Sequence, residues 1–592
     1  MYNAIVSVTD KTGLKHLIPF LWNRNFNIFS TGGTYSFIES IANQPGNEKY
    51  KTQLHRVSDV TKFPEMLNGR VKTLHPNILG GVLASHTLKS HMEELCQHNI
   101  PKFSLVVANL YQFQKTVESG ASHDDIIENI DIGGPTLIRA AAKNYKSICV
   151  LTNPEQYKSY MDEIITVDES CTENCDGDYE KVDIDYEKIG EKFKFNLARD
   201  AFNCIANYDN NINSYFNKDI VNLTIRENRK LKYGMNPNNK SAAICSINDE
   251  SPPFLVLNGN IGYINALDAI GSWRLVNEIE TVLGKDCCAS FKHTIPTGVA
   301  VRENNENRID SVCDVYKRAR NVDPLSSFGD FVAYSGHVDE EAADYIAKVV
   351  SDGIIAGSYS QGAIELLSKK KKGAYVVLLG NQIDFTKTAK EYRSMYGLSL
   401  VQDYDNSVFD KELLNNIVTD KRDTSVQNIE DMIIASVSLK YAQSNSIAFA
   451  HDGQLIGLGA GQQNRLDCIR LAGQKAQLWF MRNDNHFNEC VEIELAQTGQ
   501  EAMTKQEKIT FMYEYARSLS VVDSAIYRSR MKNVVMSSDG FLPFADNIEE
   551  AKKYGVTHVV NPGGSNGDEG VTNACDKHGM VMFHTGRRLF FH

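Results

Sequence analysis

Two loops near the start of the chain carry the side chains that a phosphate needs. Ser7-Val8-Thr9-Asp10-Lys11-Thr12-Gly13 closes a strand and opens a helix, and Ser30-Thr31-Gly32-Gly33-Thr34 does the same one unit later. Hydroxyls, glycines and a lysine at helix N-termini offer donors and the positive end of the helix dipole to an anion. Either loop alone is also the sequence of a capped helix with a tight turn. Two in consecutive units bring the anion site level with that plainer reading. Neither is a Walker loop, since G-x-x-x-x-G-K-[ST] is absent. Further on, FPEMLNGRVKTLHP (63–76) sets Arg70 and Lys72 two apart in an extended loop, as an anion clamp or a solvated basic loop. Asn109-Leu110-Tyr111 follows an apolar run, and Asp131-Ile132-Gly133-Gly134 precedes a helix holding Arg139 and Lys143. Asp131 and Lys143 read as a structural ion pair or as an acid–base couple.

In the second half, Ser290-Phe291-Lys292-His293 stands at a strand end. Adjacent Lys and His supply two proton-transfer groups of different basicity, although an isolated dipeptide also arises by chance. Gln443-Ser444-Asn445-Ser446 precedes another strand and could set an amide beside a developing oxyanion. Gly457-Leu458-Gly459-Ala460-Gly461 has its third glycine one residue early for G-x-G-x-x-G, so it reads as a close backbone turn and not a Rossmann fingerprint. Arg587-Arg588-Leu589-Phe590 mixes cations with an aromatic, which suits a phosphate beneath a ring.

The elements that must position these groups alternate. Strands are expected at 4–8, 26–29, 105–108 and 147–151, with helices at 12–21 and 35–42, which argues for a parallel sheet. In such sheets ligands bind at the carboxyl ends of strands. Residues 164–191 are strongly acidic and read as a solvated loop or charged helix face without chemistry. The polar passage 218–230 reads as the main link, and a larger α/β region follows, with strands at 288–292, 446–450 and 557–560. Lys369–Lys372 before Gly373 reads as a helix C-terminus with a glycine cap.

The chain has 592 residues and a net charge of −12, from 62 Lys plus Arg against 74 Asp plus Glu. That length holds three or four folding units, or two large ones. With 42% apolar and 23% charged residues the chain has a globular composition, and the acidic balance disfavours general nucleic-acid or anionic-membrane binding. No signal peptide or eighteen-residue apolar run is visible. The 12 cysteines form no framework and read as free thiols of a reducing cytosol, with zinc at Cys171 and Cys175 a remote alternative.

SVTDKTG, STGGT, FPEMLNGRVKTLHP, NLYQF, IDIGGPTLIRAAAKN, YGMNP, SFKH, SSFGDFVA, VSDGIIA, KYAQSNS, GLGAGQQNR, SSDGFLPF and HTGRRLF follow one another in a single order. In this the sequence resembles, nearly end to end, the bifunctional purine-biosynthesis family that combines AICAR transformylase with IMP cyclohydrolase. The resemblance implies an α/β protein. Residues 1–222 would form a methylglyoxal-synthase-like cyclohydrolase domain, and 223–592 a transformylase region of two cytidine-deaminase-like subdomains without zinc. It implies formyl transfer from 10-formyltetrahydrofolate to AICAR, then cyclisation of formyl-AICAR to IMP with loss of water. It leaves room for a structural potassium ion, implies no catalytic metal, and implies a cytoplasmic homodimer whose transformylase sites form between subunits, with no nucleic-acid or membrane partner.

By the same resemblance Lys72, Tyr111, Asp131 and Lys143 serve cyclisation. Ser7, Thr9, Lys11, Thr12, Ser30, Gly33, Thr34, Arg70 and Thr73 fall where the family binds the nucleotide. Lys292 and His293 share the proton transfers of formyl transfer, and Asn445 supports the tetrahedral intermediate. Lys232, Tyr233, Asp352, Arg588 and Phe590 correspond to AICAR positions, and Arg465, Leu466 and Phe541 to the folate pocket. Two departures touch AICAR affinity: Lys232 stands for the family's Arg and loses its bidentate fork, and Asn238 replaces a His. Gln112 replaces the usual Pro. A cyclohydrolase with a weakened transformylase, and a nucleotide-sensing module, are the competing readings. Retention of Lys72, Tyr111, Asp131 and Lys143 argues against a sensor.

Overall fold

Short apolar runs alternating with helix-period segments build, in the first unit, five parallel strands. The computed structural model describes residues 2–63, 71, 73–172, 188–247, 250–306, 308–499 and 502–592, with no side-chain account of 168–172. Two units result, Met1–Thr224 and Ile225–His592. Strands β1 (Tyr2–Ser7), β2 (Phe26–Ser30), β3 (Leu54–Arg56), β4 (Leu105–Ala108) and β5 (Cys149–Leu151) lie in the order β3-β2-β1-β4-β5. Successive side chains of a strand point to opposite faces. Ala4 and Val6 therefore pack with Leu14, Leu17, Tyr157 and Tyr160, whereas Ile5 packs with Leu137, Ala141 and Ala201. Helices thus cover both faces, and β4 is buried along its whole length.

The expected link at 218–230 lies partly in regular structure, since β6 (Ile225–Leu231) pairs with β7 (Ala242–Ile247). The remaining strands of the second unit are β8 (Phe254–Asn258), β9 (Cys287–Lys292), β10 (Ile295–Val301), β11 (Asn304–Asn305), β12 (Arg308–Ile309), β13 (Asp330–Val338), β14 (Ser351–Tyr359) and β15 (Val376–Gly380). They continue with β16 (Lys390–Met395), β17 (Leu398–Asp403), β18 (Ile447–His451), β19 (Gln454–Gly459), β20 (Val534–Ser538), β21 (Val556–Asn561) and β22 (Val581–His584). Eleven of these form one sheet in the order β22-β21-β20-β18-β19-β10-β9-β13-β14-β15-β8.

That sheet is a doubled motif. In the first half helix Tyr263–Leu283, hairpin β9–β10, helix Val312–Arg320 and the parallel strands β13, β14 and β15 follow in turn. In the second half helix Val426–Leu439, hairpin β18–β19, helix Arg465–Arg482 and the parallel strands β20, β21 and β22 repeat the pattern. The halves join where β10 pairs antiparallel with β19, Ala300 opposite Gln454. This junction places the β9–β10 turn, the starts of β13, β14 and β18 and the ends of β20, β21 and β22 on one rim.

The glycine-rich segment at 457–461 is a strand end and not only a turn. Gly457 and Gly459 lie in β19. A Cβ on Gly457 would stand 2.2 Å from the Ala472 carbonyl oxygen, and one on Gly459 2.2 Å from that of Cys468. The glycines let helix Arg465–Arg482 approach the strand, and Gly461 alone, at φ 69°, makes the turn. The lysine run also differs from a plain capped helix end. Helix Gln361–Lys369 stops, Lys371 and Lys372 take left-handed φ of 53° and 56°, and Lys370 turns inward. Its ammonium donates to the Ile346 carbonyl at 2.8 Å and lies 4.2 Å from the Tyr375 ring centroid. Burial pulls Lys370 down to about 7.

We expect Gly457→Ala to cost about 1–3 kcal/mol, because the added methyl meets backbone that cannot rotate away. Urea unfolding would measure it, and a wild-type midpoint would show that helix and strand separate freely.

Candidate functional site

The loops after β1 and β2 and the segment after β4 converge at the point where the strand order reverses. Ser7, Thr9, Lys11, Thr31, Gly33, Thr34, Thr73, Asn109, Tyr111 and Asp131 line one cavity of about 560 Å³ there. Asn109 holds the first loop: its Oδ1 accepts from the Thr9 and Asp10 amides at 2.6 and 3.0 Å, and its Nδ2 donates to the Asp10 carbonyl at 2.9 Å. Thr34 holds the second, accepting from the Val8 amide at 3.2 Å and donating to the Val8 carbonyl at 2.8 Å. The Ser7 and Thr31 hydroxyls are 3.1 Å apart.

Asp131 lines the same cavity. Its Oδ1 accepts from the Gly134 amide at 2.8 Å, and its own amide donates to the Tyr208 hydroxyl at 2.7 Å. A Cβ at Gly134 would stand 2.5 Å from Asp131 Oδ2 and 2.8 Å from Leu110 Cδ2, so glycine lets the carboxylate stay where it is. Burial lifts the Asp131 carboxyl above its ordinary range, against the opposing amides of Gly134, Tyr111 and Gly133. Burial, then the charges of Asp131 and Glu128, raises Tyr111 in turn.

Several expected members stand elsewhere. Asp131 and Lys143 are not a contact pair. Lys143 is the last residue of helix Gly133–Lys143 and is exposed, whereas Asp131 precedes the first turn. Eleven residues at about 1.5 Å rise put roughly 15 Å between those ends. Ser30 is fully buried, its hydroxyl donating to the Val6 carbonyl at 2.7 Å, and it lies outside the cavity lining. Thr12 is exposed, and its amide donates to Asp10 Oδ1 at 2.9 Å. Arg70 and Lys72 lie outside the described residues, as do Cys175 and most of the acidic segment, whose first part continues helix Gln156–Thr172.

On the rim of the second unit, Lys292 ends β9 and donates from Nζ to the Phe328 carbonyl at 2.6 Å. His293 and Thr294 form a two-residue turn, with Lys292 paired to Ile295 and φ of 54° and 63°. Buried Asp268 accepts from the Thr294 amide at 2.6 Å. Burial raises the Asp268 carboxyl, opposed by that bond and by His293. The second half supplies an internal control. There Asp452-Gly453 make the same turn at φ 53° and 72°, between His451 and Gln454. Asp431 accepts from the Gly453 amide at 2.8 Å, and it is the sixth residue of its helix as Asp268 is of its own. Asp-Gly suits a turn with two left-handed residues, whereas His-Thr does not.

Across the rim, Asn445 Nδ2 donates to the Gln462 carbonyl at 3.0 Å, which leaves its second N–H for a ligand. Buried Asp539 accepts from the Ser444 hydroxyl at 2.6 Å and the Ser446 amide at 3.0 Å, and pairs with Arg465. Arg465 Nε also donates to the Phe541 carbonyl at 3.0 Å, and Leu466 follows it, half-buried. The Phe590 ring lies beneath Arg588, 5.1 Å to its centroid, with Phe541 and Phe590 each 43% exposed. Gly540 admits this packing, since a Cβ there would meet Arg465 at 2.3 Å and Phe590 at 2.7 Å. Asp352 pairs with Lys371 at 2.6 Å. Thr294, Arg588 and Phe590 border a cavity of about 540 Å³, which Lys232 and Tyr233, exposed after β6, do not line.

Sequence reasoning assigned no role to Asp268, Asp539, Asn109 or the Phe328 carbonyl. Asn109 and Asp539 lay inside quoted motifs. The carbonyl had no side-chain signature.

Fold and sites define a two-unit α/β enzyme, with a hydroxyl-lined cavity of about 560 Å³ in one unit and a Lys–His turn on a doubled sheet in the other. A family model described as an MGS-like domain matches residues 13–136, and one described as AICARFT/IMPCHase bienzyme matches residues 141–475. The chain is 32% identical over 598 residues to the bifunctional purine biosynthesis protein PurH of Leptospira biflexa, covering 100% of this chain and 99% of that protein. It is 33% identical over 596 residues to the PurH of Clostridium botulinum, with the same coverage. A solved structure titled "Crystal structure of ForH" matches at 27% identity and TM-score 0.29, covering 36% of this chain and 98% of that one. The chain belongs to the AICAR transformylase/IMP cyclohydrolase family, the bifunctional enzymes of purine biosynthesis.

Replacing His293-Thr294 by the turn pair Asn-Gly should raise stability by about 1–3 kcal/mol, since each non-glycine residue at positive φ costs energy of that order. The same variant should lose formyl transfer. An unchanged melting temperature would show the turn to be unstrained.

Proposed function

We propose that the two activities are divided between the two units, with cyclisation in the first and formyl transfer in the second. The observation that supports this division is the pairing of hydroxyl-lined loops with Asp131 and Tyr111 in one cavity. The phosphate of formyl-AICAR meets Ser7, Thr9, Lys11, Thr34 and Thr73, with Arg70 joining them. Asp131, kept basic by burial, takes a proton from the attacking carboxamide nitrogen. The nitrogen bonds to the formyl carbon, and its oxygen leaves as water after protonation. Tyr111, whose hydroxyl is held protonated, donates to that oxygen, and Lys72 and Lys143 balance its negative charge.

In the second unit the AICAR amine attacks the formyl carbon of 10-formyltetrahydrofolate. Lys292 and His293 carry the amine's proton to the departing folate nitrogen, and Asn445 donates to the tetrahedral oxyanion. Asp352, Arg588 and Phe590 hold AICAR. Arg465, Leu466 and Phe541 border the folate. No helix among the described residues is long and apolar enough to cross a membrane. The free cysteines fit a reducing cytosol. No group of three His, Cys, Asp or Glu side chains that could hold a metal occurs among the described residues.

The distance between Asp131 and Lys143 supports a homodimer in which a second copy supplies Lys143, and Lys232 and Tyr233 reach AICAR in the same way. Purified protein given AICAR and 10-formyltetrahydrofolate should release tetrahydrofolate and IMP. Lys292→Ala should then still cyclise supplied formyl-AICAR, and equal loss of both steps would undo the division. Co-expressed Asp131→Ala and Lys143→Ala chains, each inactive in cyclisation alone, should recover about a quarter of wild-type activity through mixed dimers. No recovery would place both residues in one copy's site.

A further inference from the structure

Lys292 is fixed through a backbone carbonyl, and that carbonyl belongs to a loop which the other half of the sheet holds. The loop 321–329 joins helix Val312–Arg320 to β13. Its far end is anchored beneath the turn: Ser327 Oγ lies 3.0 Å from the Ser290 hydroxyl and 2.9 Å from that of Thr297, and Ser290 donates to Asp330 at 2.7 Å. Its near end is anchored by Asp323, which is 5% exposed. Asp323 accepts from the Ser326 amide at 3.1 Å and hydroxyl at 2.6 Å, and its own carbonyl accepts from the Ser327 amide at 2.9 Å.

Three residues of the second half close on this anchor. The Tyr513 hydroxyl, on helix Lys505–Ser518, donates to Asp323 Oδ1 at 3.1 Å. Lys475 and Arg482 both come from helix Arg465–Arg482. The Lys475 ammonium pairs with Asp323 Oδ2 at 3.3 Å, and Arg482 donates to the Asn321 and Val322 carbonyls at 3.0 and 2.7 Å. Burial works to raise the Asp323 carboxyl, but Lys475, Ser326 and Tyr513 outweigh it and hold it below the usual carboxylate range. Gly298 lets the loop approach β10, since a Cβ there would stand 2.7 Å from the Val322 Cβ and 2.0 Å from the Ala319 carbonyl oxygen of the helix before it.

We propose that Asp323, clasped by Tyr513 and Lys475, is a positioning residue for formyl transfer, setting the Phe328 carbonyl that aims the Lys292 ammonium. The proposal rests on Lys292 carrying that step. Loosening the loop moves Phe328 and lets the lysine swing, while the substrate pockets at Arg588 and Arg465 keep their shape. The loss therefore falls on kcat.

The test is steady-state formyl transfer with AICAR and 10-formyltetrahydrofolate, run on full-length Asp323→Ala, Tyr513→Phe and Lys292→Ala chains and on the Asp323→Ala/Lys292→Ala double variant. Asp323→Ala should lower kcat roughly ten- to a hundredfold, as for other misplaced catalytic groups, with both KM values within about twofold. Tyr513→Phe keeps the ring and its packing and removes one bond, so it should show a smaller fall of the same kind even where Asp323→Ala folds poorly. In the Lys292→Ala background, Asp323→Ala should cost nothing further, because the group it aims is gone. Unchanged kcat in Tyr513→Phe and in folded Asp323→Ala, with Lys292→Ala inactive, would overturn the clasp and leave the Lys292 reading standing. Equal losses with and without Lys292 would do the same. Full transfer by Lys292→Ala would remove both.

Discussion

The antiparallel pairing of β10 with β19 is the constraint on which the second unit depends. Parallel strands within one half all begin at one edge and end at the other. The antiparallel seam reverses the second half against the first, so strand starts from one half meet strand ends from the other on a single rim. Lys292, Asp330 and Asp352 come to that rim from the first half, and Asn445 and Asp539 from the second. Neither half holds the set alone. The Asp323 contacts with Tyr513 and Lys475 also tie the halves together, away from the seam.

Duplication also exposes what the rim costs. Two hairpins share one turn geometry, and each places an aspartate from the sixth position of the preceding helix under the turn amide. At the opposite rim the turn residues are Asp452-Gly453, which adopt that geometry readily. At the rim that gathers Lys292, Asn445 and Asp539 they are His293-Thr294, left-handed without a glycine. The side chains behind the turns compare as closely: Lys292 reaches the Phe328 carbonyl at 2.6 Å, and His451 Nδ1 lies 3.3 Å from the Asn533 carbonyl. One scaffold therefore tolerates both turns, and of the two only the His293-Thr294 turn is left-handed without a glycine.

Much of this was legible because it is local. The loops after β1 and β2 announce themselves by hydroxyls and glycines following apolar runs, and these runs are the strands. The doubled sheet was not visible as a repeat, since helix and hairpin recur with different side chains. The Asp131–Lys143 pair failed as a contact because twelve residues in sequence are almost a full helix in space. Ser30 looked like a ligand, but a strand-end hydroxyl can turn to its neighbour's carbonyl as easily as to solvent. Gly457 and Gly459 looked like a turn because glycine marks both turns and close packing. The Phe328 carbonyl could not be read at all. A backbone acceptor has no residue type, and it lies 36 positions from its lysine.

The net charge of −12 shows the same separation of local from global. A phosphate feels the groups within about a Debye length, roughly 8–10 Å at moderate salt, and not the sum over the chain. The cavity of the first unit offers Lys11, hydroxyls and amides at strand ends, with two carboxylates in its lining, half-buried Asp131 and exposed Glu128. Burial raises the Asp131 carboxyl above its ordinary range, which makes its carboxylate a stronger proton acceptor than an exposed one. The group that would be electrostatically awkward beside a nucleotide is thus the one whose environment raises its basicity. Where the acid chain carries its excess charge is immaterial to either site, provided the charge lies beyond the reach of the phosphate.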